Sequence, residues 1–182
     1  MAVSVAELLT ALESRGMHLA LGESLTGGLL SAVIVAVPGA SKTLLGSVVA
    51  YDSALKVHLL GVDQHQIDAL GPVSPQVAAQ MAVGARDRMA AASGLDREMT
   101  IGVSTTGVAG PEAQGIAQVG EVFIGIAGFL GDVEDVRVYP HQFEGDRDSI
   151  RTQTVVAALE HIDELCAPYA SVIDIDRARL PT

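Results

Sequence analysis

Residues 21–28 read LGESLTGG, and the fold class turns on this joint. A short apolar run, MHLALG at 17–22, precedes it and reads as a buried strand. An apolar run with helical spacing follows over residues 25–36, until Pro38-Gly39 stops it. A strand passing directly into a helix opens an α/β unit. Two explanations compete for the serine, the threonine and the two glycines of the joint. Ser24 or Thr26 can cap the helix by accepting hydrogen bonds from its first-turn N–H groups. Alternatively the joint carries chemistry, because free N–H groups and the dipole at a helix N-terminus favour negative charge.

Working outward, SVAE at 4–7 is a capping box that opens a helix over 4–15, with Leu8, Leu9 and Leu12 on its apolar face and Gly16 to end it. LLGSVVAY at 44–51 is a strand rich in β-branched residues. Short helices are expected over 53–60 and 63–70, divided by Gly61. Ser74-Pro75 supplies the cap and first-turn proline of a long helix running to about Ala92. MTIGVSTTG at 99–107 is a buried strand, and GVAGPEAQG at 107–115 a loop. The runs at 119–128 and 133–143 form a hairpin across residues 131–133. A last helix begins near Asp146, with Ile150, Val155, Ala158, Ile162 and Leu165 at apolar spacing. Helices alternating with strands, then an antiparallel pair, predict a single three-layer α/β/α domain with a mixed sheet. Its expected extent is 1–168, with residues 169–182 a tail of no assigned role.

Composition bounds the function. Nearly half of the 182 residues are apolar but only 3% are aromatic, so the core is built from Ala, Val, Leu and Ile. Eleven Lys and Arg against 22 acids give a formal charge of −11, which argues against a nucleic-acid partner; Arg177 and Arg179 are too thin a basic feature to reverse this. Cys166 is the only cysteine, which leaves no intrachain disulfide and no thiolate cluster, and its apolar surroundings predict an inert buried thiol. The sequence shows no charged leader before an apolar segment and no run long enough to span a bilayer, so a soluble, cytoplasmic protein without a membrane partner is expected.

Ligands of such sheets gather at the carboxyl ends of the strands. Ser24, Tyr51 and the pair Thr105–Thr106 each follow an expected strand and are candidates for one rim. Lysine occurs twice, as Lys42 and Lys56. Lys42 reads as a solvated surface group. Lys56, in YDSALK, follows Tyr51 by five residues and has apolar neighbours that favour burial of its stem. A desolvated lysine loses basicity and can act as a general base near neutral pH, as a serine nucleophile requires. His18, His58, His65, His141 and His161 form no recognisable triad and no metal-ligand spacing, so no metal and no cofactor are expected. The loop at 107–115 lacks the spacing of a phosphate-binding P-loop. Arg147 and Arg151 lie four apart at a helix start, placed either to pair with Asp148 or to bind an anion.

ESLTGG at 23–28, YDSALKVHLLGV at 51–62, GPVS at 71–74, TGVAGP at 106–111 and FEGDRDSIR at 143–151 occur in a telling order. In that order the chain resembles, over about residues 4–165, the C-terminal domain of the competence/damage-inducible protein CinA, the nicotinamide-nucleotide amidohydrolase family. Many relatives carry a further N-terminal domain, and the length here predicts a stand-alone form. The resemblance implies metal-free hydrolysis of nicotinamide mononucleotide to nicotinic acid mononucleotide and ammonia. By motif it implies Ser24 as nucleophile, Lys56 as its base and Tyr51 as a proton-moving hydroxyl. Thr26, Gly27, Gly28, Thr106, Gly107, Gly110 and Arg147 are the implied substrate-binding residues, and the N–H groups of Thr26 and Gly27 are the expected oxyanion donors. A homo-oligomer, in the first instance a dimer, is also implied. Two departures stand out: Ser53 replaces the family's usual Asn, and Gln118-Val119-Gly120-Glu121 replaces Pro-Val-Gly-Thr. An acid at 121 pointing into a phosphate pocket would repel the ligand. The alternatives are an amidase of different substrate preference and a non-catalytic nucleotide-binding or interaction domain.

Overall fold

The computed structural model describes residues 3–177, with side chains to residue 165 apart from Leu130. Helix α1 (Val5–Ser14) starts at Ser4, whose hydroxyl accepts from the Glu7 N–H at 3.4 Å. Strand β1 (His18–Glu23) leads through a turn to α2 (Leu29–Val35), and β2 (Leu44–Val49) follows. Helices α3 (Ser53–Leu60), α4 (Gln64–Leu70) and α5 (Pro75–Ser93) come next. Strands β3 (Thr100–Gly107), β4 (Glu121–Leu130) and β5 (Val133–Gln142) precede the final helix α6 (Arg147–Arg177). The sheet order is β2-β1-β3-β4-β5, parallel among the first three strands and antiparallel across the last two pairings. This is the mixed sheet expected from the sequence.

Alternation along the strands separates two cores, as the twofold repeat of a strand requires. Leu19, Leu21, Ile101 and Val103 face α1, α2 and α6, meeting Leu8, Leu12, Leu30, Ile34, Ile150 and Ile162. Ala20 faces the other way, onto Leu60, Ile67, Val77, Met81 and Ala85 of α3, α4 and α5. Small residues let α5 lie close to the sheet and to α3. A Cβ added at Gly102 would sit 2.0 Å from the Ala82 carbonyl oxygen, and one at Gly84 would sit 1.6 Å from that of Leu60. Arg86 of α5 is wholly buried, its guanidinium 4.9 Å from the Phe129 ring centroid and bonded to Asp87 and Glu134.

Two boundaries differ from expectation. Helix α2 begins at Leu29 and not near 25, because residues 25–28 form a turn whose glycines take positive φ, 58° at Gly27 and 94° at Gly28. Such angles favour glycine, which lacks the Cβ that penalises them. Helix α6 continues past Pro168 to Arg177, across part of the stretch set apart as a tail. The Cys166 side chain and residues 178–182 lie outside the described residues. No helix among the described residues is long and apolar enough to cross a membrane.

Candidate active site

Strand register builds the site. Glu23 closes β1 and is level with Val49 of β2 on one side and Thr105 of β3 on the other. The residues that follow these three therefore emerge at one rim of the parallel half-sheet. There a cleft of about 260 Å³ is lined by Ser24, Tyr51, Ser53, Lys56, Thr106 and Arg147, with Leu25, Pro72, Gly107, Gly110, Glu112 and Gln114 among its other walls.

The joint of residues 21–28 resolves into separate tasks. Capping falls neither to Ser24 nor to Thr26. The Glu23 carboxylate, wholly buried, accepts from the N–H groups of Gly28 (2.9 Å), Leu30 (3.1 Å) and Ser31 (3.0 Å), and from the Ser47 hydroxyl (2.9 Å). A negative charge at the start of α2 also complements the helix dipole. Thr26 is buried, its hydroxyl 2.7 Å from that of Thr105, and it does not line the cleft. Ser24 is thereby left over. It is 8% exposed, and among the described residues its hydroxyl makes no hydrogen bond. Its backbone N–H is fixed to the Thr105 carbonyl at 2.9 Å.

The expected amide donors need correction. The Gly27 N–H already donates to the Ser24 carbonyl at 3.1 Å and that of Gly28 to Glu23, so both are occupied, and neither glycine lines the cleft. The N–H groups of Leu25 and Thr26 have no acceptor among the described residues, and of the two only Leu25 lines the cleft, Thr26 being wholly buried. Arg151 holds this turn from the opposite side, donating from Nε to the Leu25 carbonyl (3.2 Å) and from Nη2 to that of Thr26 (2.9 Å).

Lys56, on α3, is 1% exposed. Asp52 caps α3 by accepting from the Ala54 N–H at 2.8 Å, which sets the helix so that Lys56 points inward. Burial pushes the ammonium down from its ordinary 10.5 to about 8, against the opposing pull of the Asp52 carboxylate. Its Nζ donates to the Ala50 carbonyl at 2.9 Å and makes no hydrogen bond to Ser24, although both line the cleft. Tyr51 is 61% exposed at the mouth, where Arg147 Nη2 donates to its oxygen at 2.9 Å. Arg147 Nη1 donates to the Gly110 carbonyl at 2.8 Å. The Thr106 hydroxyl donates to the Pro72 carbonyl at 2.8 Å, tying the end of β3 to the loop before α5.

The acid at 121 does not enter the cleft. Its carboxylate turns back to accept from the Gln118 N–H at 3.1 Å. The acid that does line the cleft is Glu112, which the sequence reading passed over inside the loop. Lys42 pairs with Glu13 on the surface at 2.7 Å. His141 and His161 face each other at 3.0 Å between β5 and α6, and burial with the neighbouring His161 pushes His141 down. Among the described residues no group of three His, Cys, Asp or Glu is arranged to hold a metal ion.

Comparison with known proteins bears on this arrangement. The family model of the CinA C-terminal domain matches residues 2–166. A CinA-like protein of Frankia casuarinae is 43% identical over 157 residues, 86% of this chain and 33% of that protein. A CinA-like protein of Cyanothece is 41% identical over 152 residues, 83% of this chain and 34% of that protein. The chain thus spans about a third of the length of the curated relatives it matches. Among solved structures, the competence/damage inducible protein CihA from Agrobacterium tumefaciens superposes with a TM-score of 0.75 at 28% identity, covering 88% of this chain and 94% of that one. A CinA superfamily protein from Klebsiella pneumoniae gives 0.76 at 26% identity, covering 91% and 99%. The chain belongs to the CinA C-terminal domain family.

Proposed function

We propose that the protein is a nicotinamide-nucleotide amidohydrolase that uses Ser24 as nucleophile and Lys56 as general base. The observation that carries this reading is a free serine hydroxyl sharing one cleft with a wholly buried lysine whose basicity is lowered toward neutrality. A base matched to the working pH is what nucleophile activation needs. In the first step Ser24 Oγ bonds to the carboxamide carbon, its proton passes to Lys56 Nζ, and the C=O electron pair moves onto oxygen. The Leu25 N–H, in the cleft wall, stabilises that oxyanion; one such donor is worth roughly 3–4 kcal/mol of barrier. Collapse breaks the C–N bond, and the leaving nitrogen takes the proton from Lys56 as ammonia. Water then adds to the acyl-enzyme, losing a proton to Lys56; the C–Oγ bond breaks, Lys56 returns that proton to Ser24 Oγ, and nicotinic acid mononucleotide leaves. Tyr51 helps carry the proton, while Arg147, Thr106 and the loop over 107–115 hold the nucleotide.

The cleft lies near the lower end of the roughly 300–1,000 Å³ range of small-molecule pockets, a scale that suits a mononucleotide. No step draws on a metal or cofactor. A homo-oligomer remains part of the proposal, with a dimer the first state to test. One observation favours a second reading, a nucleotide-binding domain without turnover: Lys56 is bonded to Ala50 and not to Ser24. Catalytic hydrogen bonds often tighten only when substrate is bound, so the first reading is preferred. Ammonia release from nicotinamide mononucleotide by the purified chain separates the two. Binding without release sinks the enzyme reading.

A further inference from the structure

Arg151 is on α6, 125 residues from the turn it holds. Its Nε and Nη2 donate to two successive carbonyls, Leu25 at 3.2 Å and Thr26 at 2.9 Å, and Nη1 meets Asp148 at 3.2 Å. The Leu25 carbonyl and the Thr26 N–H belong to one peptide unit. In a planar trans peptide these groups point in opposite directions. A guanidinium fixed on that carbonyl therefore fixes the plane of the peptide, and with the Thr26 carbonyl it fixes the turn that follows Ser24. Glu23 anchors the other end of the same turn through the amides of Gly28, Leu30 and Ser31.

We infer that Arg151 is a positioning residue, which fixes the turn after Ser24 so that the Ser24 hydroxyl and the Leu25 N–H, both in the cleft wall, keep their places when Ser24 attacks. The inference rests on the proposed role of Ser24 as nucleophile, though not on the identity of the substrate. It differs from a purely structural role, which would lower the amount of folded protein without altering the chemistry of what remains.

The test compares wild type with Arg151→Gln, Arg151→Lys and Arg151→Ala in two assays. One is ammonia release from nicotinamide mononucleotide; the other is labelling of Ser24 by a fluorophosphonate. In the latter Oγ bonds to phosphorus, the P–F bond breaks, fluoride leaves, and Lys56 takes the hydroxyl proton. In Arg151→Gln we expect kcat and the labelling rate to fall together by about tenfold to a hundredfold with KM within about threefold. Arg151→Lys, which keeps the charge but offers one nitrogen in place of the fork, should fall less. Added guanidinium ion should restore part of the rate of Arg151→Ala, a rescue that a folding defect would not show. Wild-type rates in all three variants, or losses that track the unfolded fraction and resist rescue, overturn the inference. If wild type is labelled at Ser24 yet releases no ammonia, the substrate reading fails while the labelling rates still decide the role of Arg151. A wild-type Ser24 that cannot be labelled overturns the inference.

Discussion

Arg147 Nη2 donates a 2.9 Å hydrogen bond to the Tyr51 hydroxyl, joining the first turn of α6 to the segment after β2. With Nη1 on the Gly110 carbonyl at 2.8 Å, one guanidinium ties three segments together around the mouth of the cleft. A planar fork presents two nitrogens to two acceptors at a fixed spacing, which the single nitrogen of an ammonium does not reproduce. Arg147→Lys should therefore weaken binding of nicotinamide mononucleotide by about tenfold to a hundredfold, the worth of one charged hydrogen bond. Titration calorimetry checks this, and unchanged affinity would remove Arg147 from the binding site.

Buried Lys56 makes both activity and stability depend on pH. The base works only when neutral, so turnover should rise with pH and level off above about 8. In the unfolded chain the lysine keeps its proton up to about 10.5, but in the folded protein only to about 8. Between those values the unfolded state binds more protons, so stability rises with pH across that window. Below it the folded protein carries the full cost of the buried charge, on the order of 3 kcal/mol. Lys56→Met removes that cost but leaves the Ala50 carbonyl without its partner. It should gain about 1–2 kcal/mol at pH 7, with the gain shrinking toward pH 10, and lose turnover. Urea unfolding across pH measures the difference, and a less stable variant at pH 7 would contradict this account.

Most of the element order was legible in the sequence because it rests on local signals: strand-length apolar runs, helical spacing, and caps such as Ser4 and Ser74. The residues of the rim were legible for a related reason, since each follows a strand that ends level with its neighbours. What escaped was non-local. The cap of α2 comes from a carboxylate five to eight residues before the amides it serves, so the helix start was placed too early. A Glu that ends a strand four residues before Gly27-Gly28 is a signal that could have found it. The hold of Arg151 on residues 25 and 26 crosses 126 and 125 positions of the chain, and no spacing rule reaches that far.

Glu23 supplies the next prediction. Four hydrogen bonds converge on its buried carboxylate, and truncation would leave three backbone amides without an acceptor. Glu23→Ala should lose about 3 kcal/mol or more. Glu23→Gln keeps the shape but turns a donor toward donors, and should fall between. Denaturant midpoints test both, and a loss below about 1 kcal/mol for Glu23→Ala would show that water replaces the carboxylate.

Close approach of α5 to β3 predicts a strong effect from one added methyl. In Gly102→Ala the new Cβ would meet the backbone oxygen of Ala82 at 2.0 Å, and a backbone atom cannot rotate away. The helix must move off the sheet. The expected loss is about 3 kcal/mol or more. Thermal unfolding is the check, and a melting temperature near that of wild type would mean that α5 does not lie so close.

The central claim is that Lys56 takes the proton of Ser24, and Lys56→Arg tests it most directly. An arginine keeps a positive charge but does not give up its proton near neutral pH. Ammonia release from nicotinamide mononucleotide is measured beside nucleotide affinity, with Lys42→Arg as the matched surface control. The account predicts that Lys56→Arg loses turnover by about a hundredfold or more, still binds the nucleotide, and stays folded, while Lys42→Arg changes neither rate nor affinity. Near-wild-type turnover by folded Lys56→Arg would contradict the Ser–Lys mechanism.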